Sequence, residues 1–441
     1  MTTARRTVLK KMVGGAACLA LPPTIIPASA LARGGVAPNS KITIGAIGVG
    51  RMGSVHLSGF LQHPDVRLVA VCDVQQSRRE AAKATVDQYY GDTACATYSD
   101  FRELLARPDI DGIVNATTEH WHALISMEAA RRGKHIYHEK SMATTIAECR
   151  ALRDSVHRFG VVFQLGTQQR STRDYRFTCE LIRNGRIGEL QTVMIASPGG
   201  GRAGPALAEV IQAPPRGFDY DMWLGPAPWT PYSDERVSLT WQWISDYGHG
   251  SMDGCWGVHD LDIAQWVNDA DSTGPVEVEA AGKYFTDLRD AAYAWTAEYK
   301  YANGVRLIHM DMAAAKKLAP QFGLINFMSS VMVGSEGWIL VSRNGMRTHP
   351  ASLMQAVIGA NEKRVMKSDD HRRNFLEAIR SGSRTICDVD TAVRTTTVSQ
   401  QALIAMKLGR RLRWDPREES FIGDPAANRM MTKPMRSPWR M

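Results

Sequence analysis

The 441-residue chain is poor in most features that would set it apart from ordinary globular enzymes. It has seven cysteines, and Cys72, Cys95, Cys149, Cys179, Cys255 and Cys387 are scattered without a C-x-x-C pair. That spacing excludes a disulfide framework and reads them as buried small apolar residues, while Cys18 lies in a leader. No basic stripe interleaves with aromatics, so no nucleic-acid partner is expected. Of the formal charge of +8, four positive charges are Arg5, Arg6, Lys10 and Lys11 of the leader. His249, His259, Asp253 and Asp262 match no specific metal spacing, so no metal is expected. Beyond the leader no segment is long and apolar enough to span a bilayer, and there is no internal repeat or low-complexity tract.

What is present begins with the leader itself. Ala4-Arg5-Arg6-Thr7-Val8-Leu9-Lys10 precedes an uncharged Gly/Ala/Leu-rich stretch from Met12 to Ile26, which resembles a twin-arginine export signal. Ala28-Ser29-Ala30 and Ala30-Leu31-Ala32 are small-x-small cleavage sites, so the mature chain is expected to begin at Leu31 or Arg33, with no membrane anchor left after cleavage. The resemblance implies the twin-arginine export machinery as a partner and a periplasmic or otherwise exported location. Residues 1–32 are thus read as signal peptide and 33–40 as a Gly/Pro/Ser linker.

From Lys41 short apolar strands alternate with amphipathic helices, the pattern of a doubly wound parallel sheet. Strands are expected at 41–48, 66–73, 110–116, 135–138 and 161–165, with helices at about 52–62, 77–88, 100–106, 122–132 and 146–159. Past Asn184-Gly185 the texture changes to longer alternating strands at 190–196, 275–284, 294–301, 305–312, 326–333 and 337–341, which predicts an α+β domain with a large, mainly antiparallel open sheet. Asn303-Gly304 is read as a two-residue hairpin turn with both positions at positive φ. Late helices are expected at 370–380 and 390–408, then a Pro-rich strap from Trp414. The domains are therefore 41–168, a Rossmann unit; 169–412, for substrate and oligomerisation; and 413–441, a C-terminal strap. An open sheet face needs cover, so a homo-oligomer is expected.

Gly48-Val49-Gly50-Arg51-Met52-Gly53 directly follows the first strand and opens a helix. The first glycine permits the tight turn, the second lets backbone approach a pyrophosphate and the third lets helix pack on strand. Asp73 closes the second strand, where a carboxylate hydrogen-bonds both hydroxyls of an adenine ribose and repels a 2′-phosphate. NAD is favoured; NADP stays an alternative because Arg78 and Arg79 open the next helix.

Four further segments occur in order: Asn115-Ala116-Thr117-Thr118-Glu119-His120-Trp121-His122, Glu139-Lys140-Ser141-Met142, Gly166-Thr167-Gln168-Gln169-Arg170, and Gly257-Val258-His259-Asp260-Leu261-Asp262. Together they resemble the Gfo/Idh/MocA family of glucose-fructose oxidoreductase and inositol dehydrogenase, over nearly the whole mature chain. The resemblance implies that Ala116, Thr117 and His122 border the cofactor, that Glu139 contacts the nicotinamide ribose, and that Lys140 reaches the substrate hydroxyl. Thr118 and Ser141 replace prolines of the family pattern, which predicts a looser loop around Lys140. The family's Asp-x-x-x-His pair, one helical turn apart, is here Cys255 and His259, with Asp253 and Asp262 as replacements for the missing carboxylate. Asp253 lies on a glycine-flanked, flexible stretch, and Asp262 is placed to share the face of His259.

Oxidising a secondary alcohol needs a hydride acceptor and a base at the hydroxyl. His259 is the favoured base, its ordinary pKa being near neutrality, with Lys140 stabilising the developing alkoxide; a desolvated lysine exchanges those roles. Gln168 and Arg170 are expected at the ligand crevice beyond the sixth strand. Trp241, Trp243 and Trp256 fit sugar stacking or core packing equally. Export without cofactor recycling suggests tightly bound NAD(P) working in a closed cycle on a sugar or sugar derivative. Three readings stay open: hydride transfer between sugars, NAD-dependent glycoside hydrolysis by transient oxidation, elimination, water addition and re-reduction, and a non-catalytic sugar-binding protein.

Overall fold

Apolar alternation in the first half produces the expected doubly wound sheet. The computed structural model describes residues 40–200, 206–323 and 329–441; the signal peptide and all of the linker except Ser40 lie outside the described residues. Ile42–Met441 forms one unit. Its first sheet contains β1 (Ile42–Ile47), β2 (Val66–Cys72), β3 (Ala96–Tyr98), β4 (Gly112–Asn115), β5 (His135–His138) and β6 (Phe163–Leu165), in the order β3-β2-β1-β4-β5-β6 and parallel throughout. Such an order reverses at β1 and β4, so the crevice for a ligand lies at the carboxyl ends of those strands.

Local chemistry fixes the helices between them. Thr145 caps the helix Ile146–Phe159 by accepting from the Glu148 amide, while Glu148 accepts back from the Thr144 amide, a reciprocal box. Asp100 caps Phe101–Leu105, accepting from the Arg102 amide. The helix Glu119–Arg131 begins three residues earlier than its apolar pattern suggests. Thr118, at its N-cap with φ of −77°, holds the backbone region a proline would impose.

The second sheet is built from β7 (Leu190–Ser197), β8 (Glu277–Tyr284), β9 (Ala292–Lys300), β10 (Arg306–Asp311), β11 (Ser329–Gly334), β12 (Trp338–Ser342), β13 (Gly345–His349), β14 (Leu412–Asp415) and β15 (Ser420–Phe421). Its order is β13-β12-β11-β7-β10-β9-β8-β14-β15, antiparallel apart from the β7–β10 pair. Helices Gly257–Val267 and Val389–Leu408 pack one face, burying Leu261, Trp266, Val398 and Ala402 against Trp295, Tyr299 and Leu307.

Three expectations change here. The 303–304 turn is a three-residue loop: the Tyr301 amide donates to the Val305 carbonyl, and only Gly304 takes positive φ, at +89°. The sheet's other face is partly covered by the chain itself, since Ala315, Ala319 and Phe322 pack on Met310, Val331 and Leu340. The tail from Trp414 starts as sheet, because β14 pairs with β8 and Trp414 is buried; only the last residues form a strap, with Met435 and Trp439 packed on the helices of the first sheet.

Helix Val389–Leu408 lies between the halves and is buried nearly all round, including Thr395, Ser399 and Gln400. Those polar side chains bond to residues of both halves: Ser399 donates to Asp253 at 2.7 Å, Gln400 to the Ala143 carbonyl at 2.8 Å, and Thr395 to Asp262 at 3.0 Å. The six described cysteines beyond the leader are unpaired and buried. Among the described residues no helix is long and apolar enough to cross a membrane.

Candidate active site

A cleft of about 660 Å³ opens at the carboxyl ends of β1, β2, β4 and β5. Its first part is the glycine turn. Gly48 has φ of +77°, and a Cβ there would lie 2.7 Å from the Ala116 and Thr117 backbone; one on Gly53 would lie 1.9 Å from the Gly48 carbonyl oxygen. The turn is thus pressed onto the strand ends. Helix Arg51–Leu61 opens into the cleft with no side-chain cap and no acid in its first turn, leaving N–H groups and positive dipole for an anion. Asp73 is fixed at the wall by the Val49 amide at 3.0 Å and the Gln75 amide at 2.9 Å, and Arg78 lines the same wall. Burial raises the Asp73 pKa. These residues fit a dinucleotide, with pyrophosphate on the glycine turn and a ribose diol on Asp73.

Glu139 and Lys140 follow β5. Burial drives the Glu139 pKa upward, but the hydrogen bond to His56, with Lys140 beside it, outweighs this and holds the carboxyl well below the usual range. His56 lies 2.6 Å from Glu139, and Gln168 donates to the same Glu139 oxygen at 3.3 Å. Lys140 points its ammonium across the cleft to the Gly254 carbonyl at 2.7 Å. The loop around it is not loosened by Ser141: that residue is buried, and its carbonyl lies 2.6 Å from His122 Nδ1, whose Nε2 lies 3.2 Å from the Thr117 carbonyl. His122 therefore ties the loops after β4 and β5 together from behind, and it does not line the cleft. Ala116 and Thr117 do line it, as do Arg51 and Met52.

The second half supplies Met222, Trp223, Trp241, Gln242, Cys255, Trp256, His259 and Arg343 to the opposite wall. Cys255 precedes the helix Gly257–Val267 and does not share a helical face with His259; its thiol donates to Gln242 Oε1 at 3.0 Å. Burial, followed by the neighbouring Lys140 and Arg343 charges, pushes the His259 pKa well below neutrality, so its imidazole is neutral at pH 7 and its near-neutral titration is lost.

Two replacements proposed for the missing carboxylate lie elsewhere. Asp262 is buried and gripped by Arg170 at 2.7 Å through both Nε and Nη2, so neither it nor Arg170 faces the cleft. Arg170 also binds Asp271, which spends its donors on holding helix to helix. Asp253 sits in a buried segment after the 3-10 turn Gly250–Met252, bonded to Ser399, and does not line the cleft. Burial raises its pKa to about 7.

Glu119 is the carboxylate that sequence reasoning passed over. It starts a helix and lines the cleft, yet its side chain is buried, and its pKa is raised well above the usual range by burial and then by Asp253, against the pull of Lys140. The signal available was an acid inside an otherwise recognisable motif. Its burial depends on Gly248 and Gly254, more than a hundred residues away. His56 and Arg372 had no local signal, because Arg372 Nη2 reaches His56 Nδ1, 3.3 Å away, from a helix near the chain's end.

Residues 42–167 match the family described as "Oxidoreductase family, NAD-binding Rossmann fold", and residues 204–441 match "Oxidoreductase family, C-terminal alpha/beta domain" of the same Gfo/Idh/MocA group. An uncharacterized oxidoreductase, YrbE, of Bacillus subtilis is 31% identical over 157 residues, covering 36% of this chain and 44% of that protein. An alpha-N-acetylgalactosaminidase of Shewanella oneidensis is 32% identical over 159 residues, 35% of each chain. The chain thus spans less than half the length of these curated relatives. Among solved structures, the WlbA dehydrogenase of Bordetella pertussis, in complex with NADH and UDP-GlcNAcA, superposes with a TM-score of 0.61 at 17% identity, covering 85% of this chain and 99% of that one. Scyllo-inositol dehydrogenase of Lactobacillus casei, with bound NAD(H) and scyllo-inositol, gives 0.58 at 14% identity over 85% and 99%. At such identities these two share the fold.

Proposed function

The chain belongs to the Gfo/Idh/MocA oxidoreductase family and uses NAD, and on that footing we propose that it transfers hydride between NAD and a secondary alcohol of a sugar or sugar derivative. One observation carries this reading: Lys140 and His259 line the same cleft as the glycine turn and Asp73. Bound NAD supplies the hydride acceptor or donor. The protein does the rest. The Lys140 ammonium, held to the Gly254 carbonyl, is placed to draw an alcohol oxygen toward alkoxide, a charge-assisted contact that strengthens as negative charge develops. Neutral His259 accepts a hydrogen bond from that hydroxyl. Trp223, Trp241 and Trp256 offer apolar faces to the C–H side of a sugar ring and exclude water.

The test is to load purified protein with NAD and add, one at a time, myo-inositol, scyllo-inositol, free hexoses and aryl glycosides, following nicotinamide absorbance and aglycone release. Absorbance change with an alcohol supports the proposal; none with any of them sinks it. Aglycone release without net reduced cofactor marks the second reading, NAD-dependent glycoside hydrolysis, which the similarity to the Shewanella enzyme favours specifically. Both reactions return hydride within one active site. We therefore propose an exported enzyme that retains its cofactor, folded before twin-arginine export and working outside the cytoplasm. Replacing Arg5 and Arg6 by lysine should leave the precursor inside the cell. We also propose a homo-oligomer, formed through the part of the second sheet that Met194, Ile308, Val333 and Trp338 leave half-buried; light scattering of the purified protein tests it.

A further inference from the structure

Three carboxylates line the cleft, and two are already committed. Asp73 is bound by two backbone amides, and Glu139 is paired with His56. Glu119 is different. Its relative exposure is 3%, and its Oε2 has no hydrogen-bond partner among the described residues. The carboxyl lies in a space left by two glycines: a Cβ on Gly254 would fall 1.8 Å from Oε1, and one on Gly248 would fall 3.0 Å from Oε2. Gly254 also presents the carbonyl that receives the Lys140 ammonium at 2.7 Å. Glu119 and Lys140 therefore meet at one residue. Any side chain at 254 would displace the acid.

Resting on the oxidoreductase reading above, we propose that Glu119 is the proton store of this site. Once ionised, it takes the hydroxyl proton of the sugar as hydride leaves for NAD, and it gives that proton back to the carbonyl oxygen as hydride returns. The atoms balance. In oxidation the carbinol C–H bond breaks with its electron pair going to NAD, and the O–H pair becomes the second bond of C=O. The released proton forms an O–H bond on the Glu119 carboxylate, directly or through Lys140. In reduction each bond change reverses, and the carboxylate left behind is stabilised by the Lys140 ammonium. A cycle that keeps its hydride on one enzyme then keeps its proton there too.

The surroundings decide which form Glu119 prefers. Burial and the neighbouring Asp253 favour the neutral acid, whereas Lys140, the His249 amide and Lys433 favour the carboxylate; Cys255, pushed upward by burial and by Glu119 itself, stays a thiol. The balance leaves Glu119 well above the ordinary carboxylate range, while His259, driven the other way, holds a proton poorly. The site thus moves the acid toward holding a proton and the imidazole toward releasing one.

Two measurements test this on the NAD-loaded enzyme. In infrared difference spectra at pH 7, Glu119→Gln should remove a neutral-carboxyl C=O band that Asp253→Asn leaves in place; if no such band is lost, the proposal falls. With the sugars of the panel above, Glu119→Gln should lower kcat by roughly 10²-fold with little change in KM or NAD affinity, and Glu119→Asp should recover part of it. The variant should also lose the rise of oxidation rate with pH that wild type shows as Glu119 ionises. A Glu119→Gln enzyme matching wild type in kcat and pH profile overturns the proton store while leaving the oxidoreductase reading intact. Wild type inert toward the whole panel overturns that reading and this inference together. Unchanged NAD binding and thermal midpoint in Glu119→Gln show that the variant is folded.

Discussion

His56 and Glu139 are locked in one tautomeric arrangement. Arg372 has only donors and reaches His56 Nδ1, 3.3 Å away, so that nitrogen accepts, Nε2 carries the hydrogen, and it is donated to Glu139 at 2.6 Å. His56→Ala should therefore leave a buried carboxylate without its donor, at a cost of about 3 kcal/mol in unfolding free energy. Urea denaturation checks it; a loss under about 0.5 kcal/mol would mean that Gln168 and Lys140 suffice.

Cofactor choice should turn on Asp73. Asp73→Ser removes the charge that repels a 2′-phosphate and leaves Arg78 on the same wall, so the ratio of NADP to NAD affinity should rise at least about tenfold. Calorimetric titration of both dinucleotides measures the ratio, and an unchanged ratio would place the adenine ribose elsewhere.

Lys140→Met should abolish most turnover while keeping the cofactor. An ammonium that acts on developing charge contributes on the order of 10²–10³-fold to kcat, and its loss should leave NAD affinity within a few fold. A variant that loses NAD binding in the same proportion as activity would give Lys140 a cofactor role only.

Stability should fall as pH rises from about 4 toward 7, because Asp253 is protonated in the folded protein up to about pH 7 but ionised in the unfolded chain above its ordinary 3.8. Between those values the unfolded state has released a proton that the folded state keeps, so unfolding gains with pH. Asp253→Asn keeps an acceptor for Ser399 and should flatten this part of the profile of thermal midpoint against pH. The same slope in wild type and variant would assign it to another group.

The first sheet was legible because its short, mostly apolar strands alternate with amphipathic helices, and β1, β2 and β5 lie within a residue or so of where the pattern puts them. What escaped was short or non-local. β3, with three residues, is too brief for any period to show, and β13 to β15 exist because neighbouring strands pair with them. The helix Arg173–Arg183 hides its apolar face of Tyr175, Cys179 and Ile182 among arginines and acids. At the site, the glycine turn and Lys140 declare themselves through residue type and position. Arg170 and Asp262 do not, since their pairing spans ninety-two residues and turns a candidate substrate contact and a candidate assisting carboxylate into a buried strut. Cys255 falls just outside its helix because Trp256 occupies the N-cap, which no spacing rule reveals.

The long helix wedged between the halves has an evolutionary consequence. Within six positions, Thr395, Ser399 and Gln400 brace Asp262, Asp253 and the loop before Thr145, so the dinucleotide half and the substrate half share one buttress. A chimera that joins this first half to another protein's second half would import a foreign buttress beneath its own catalytic loops. Domain exchange in this lineage therefore has to carry 389–408 together with the partners it supports.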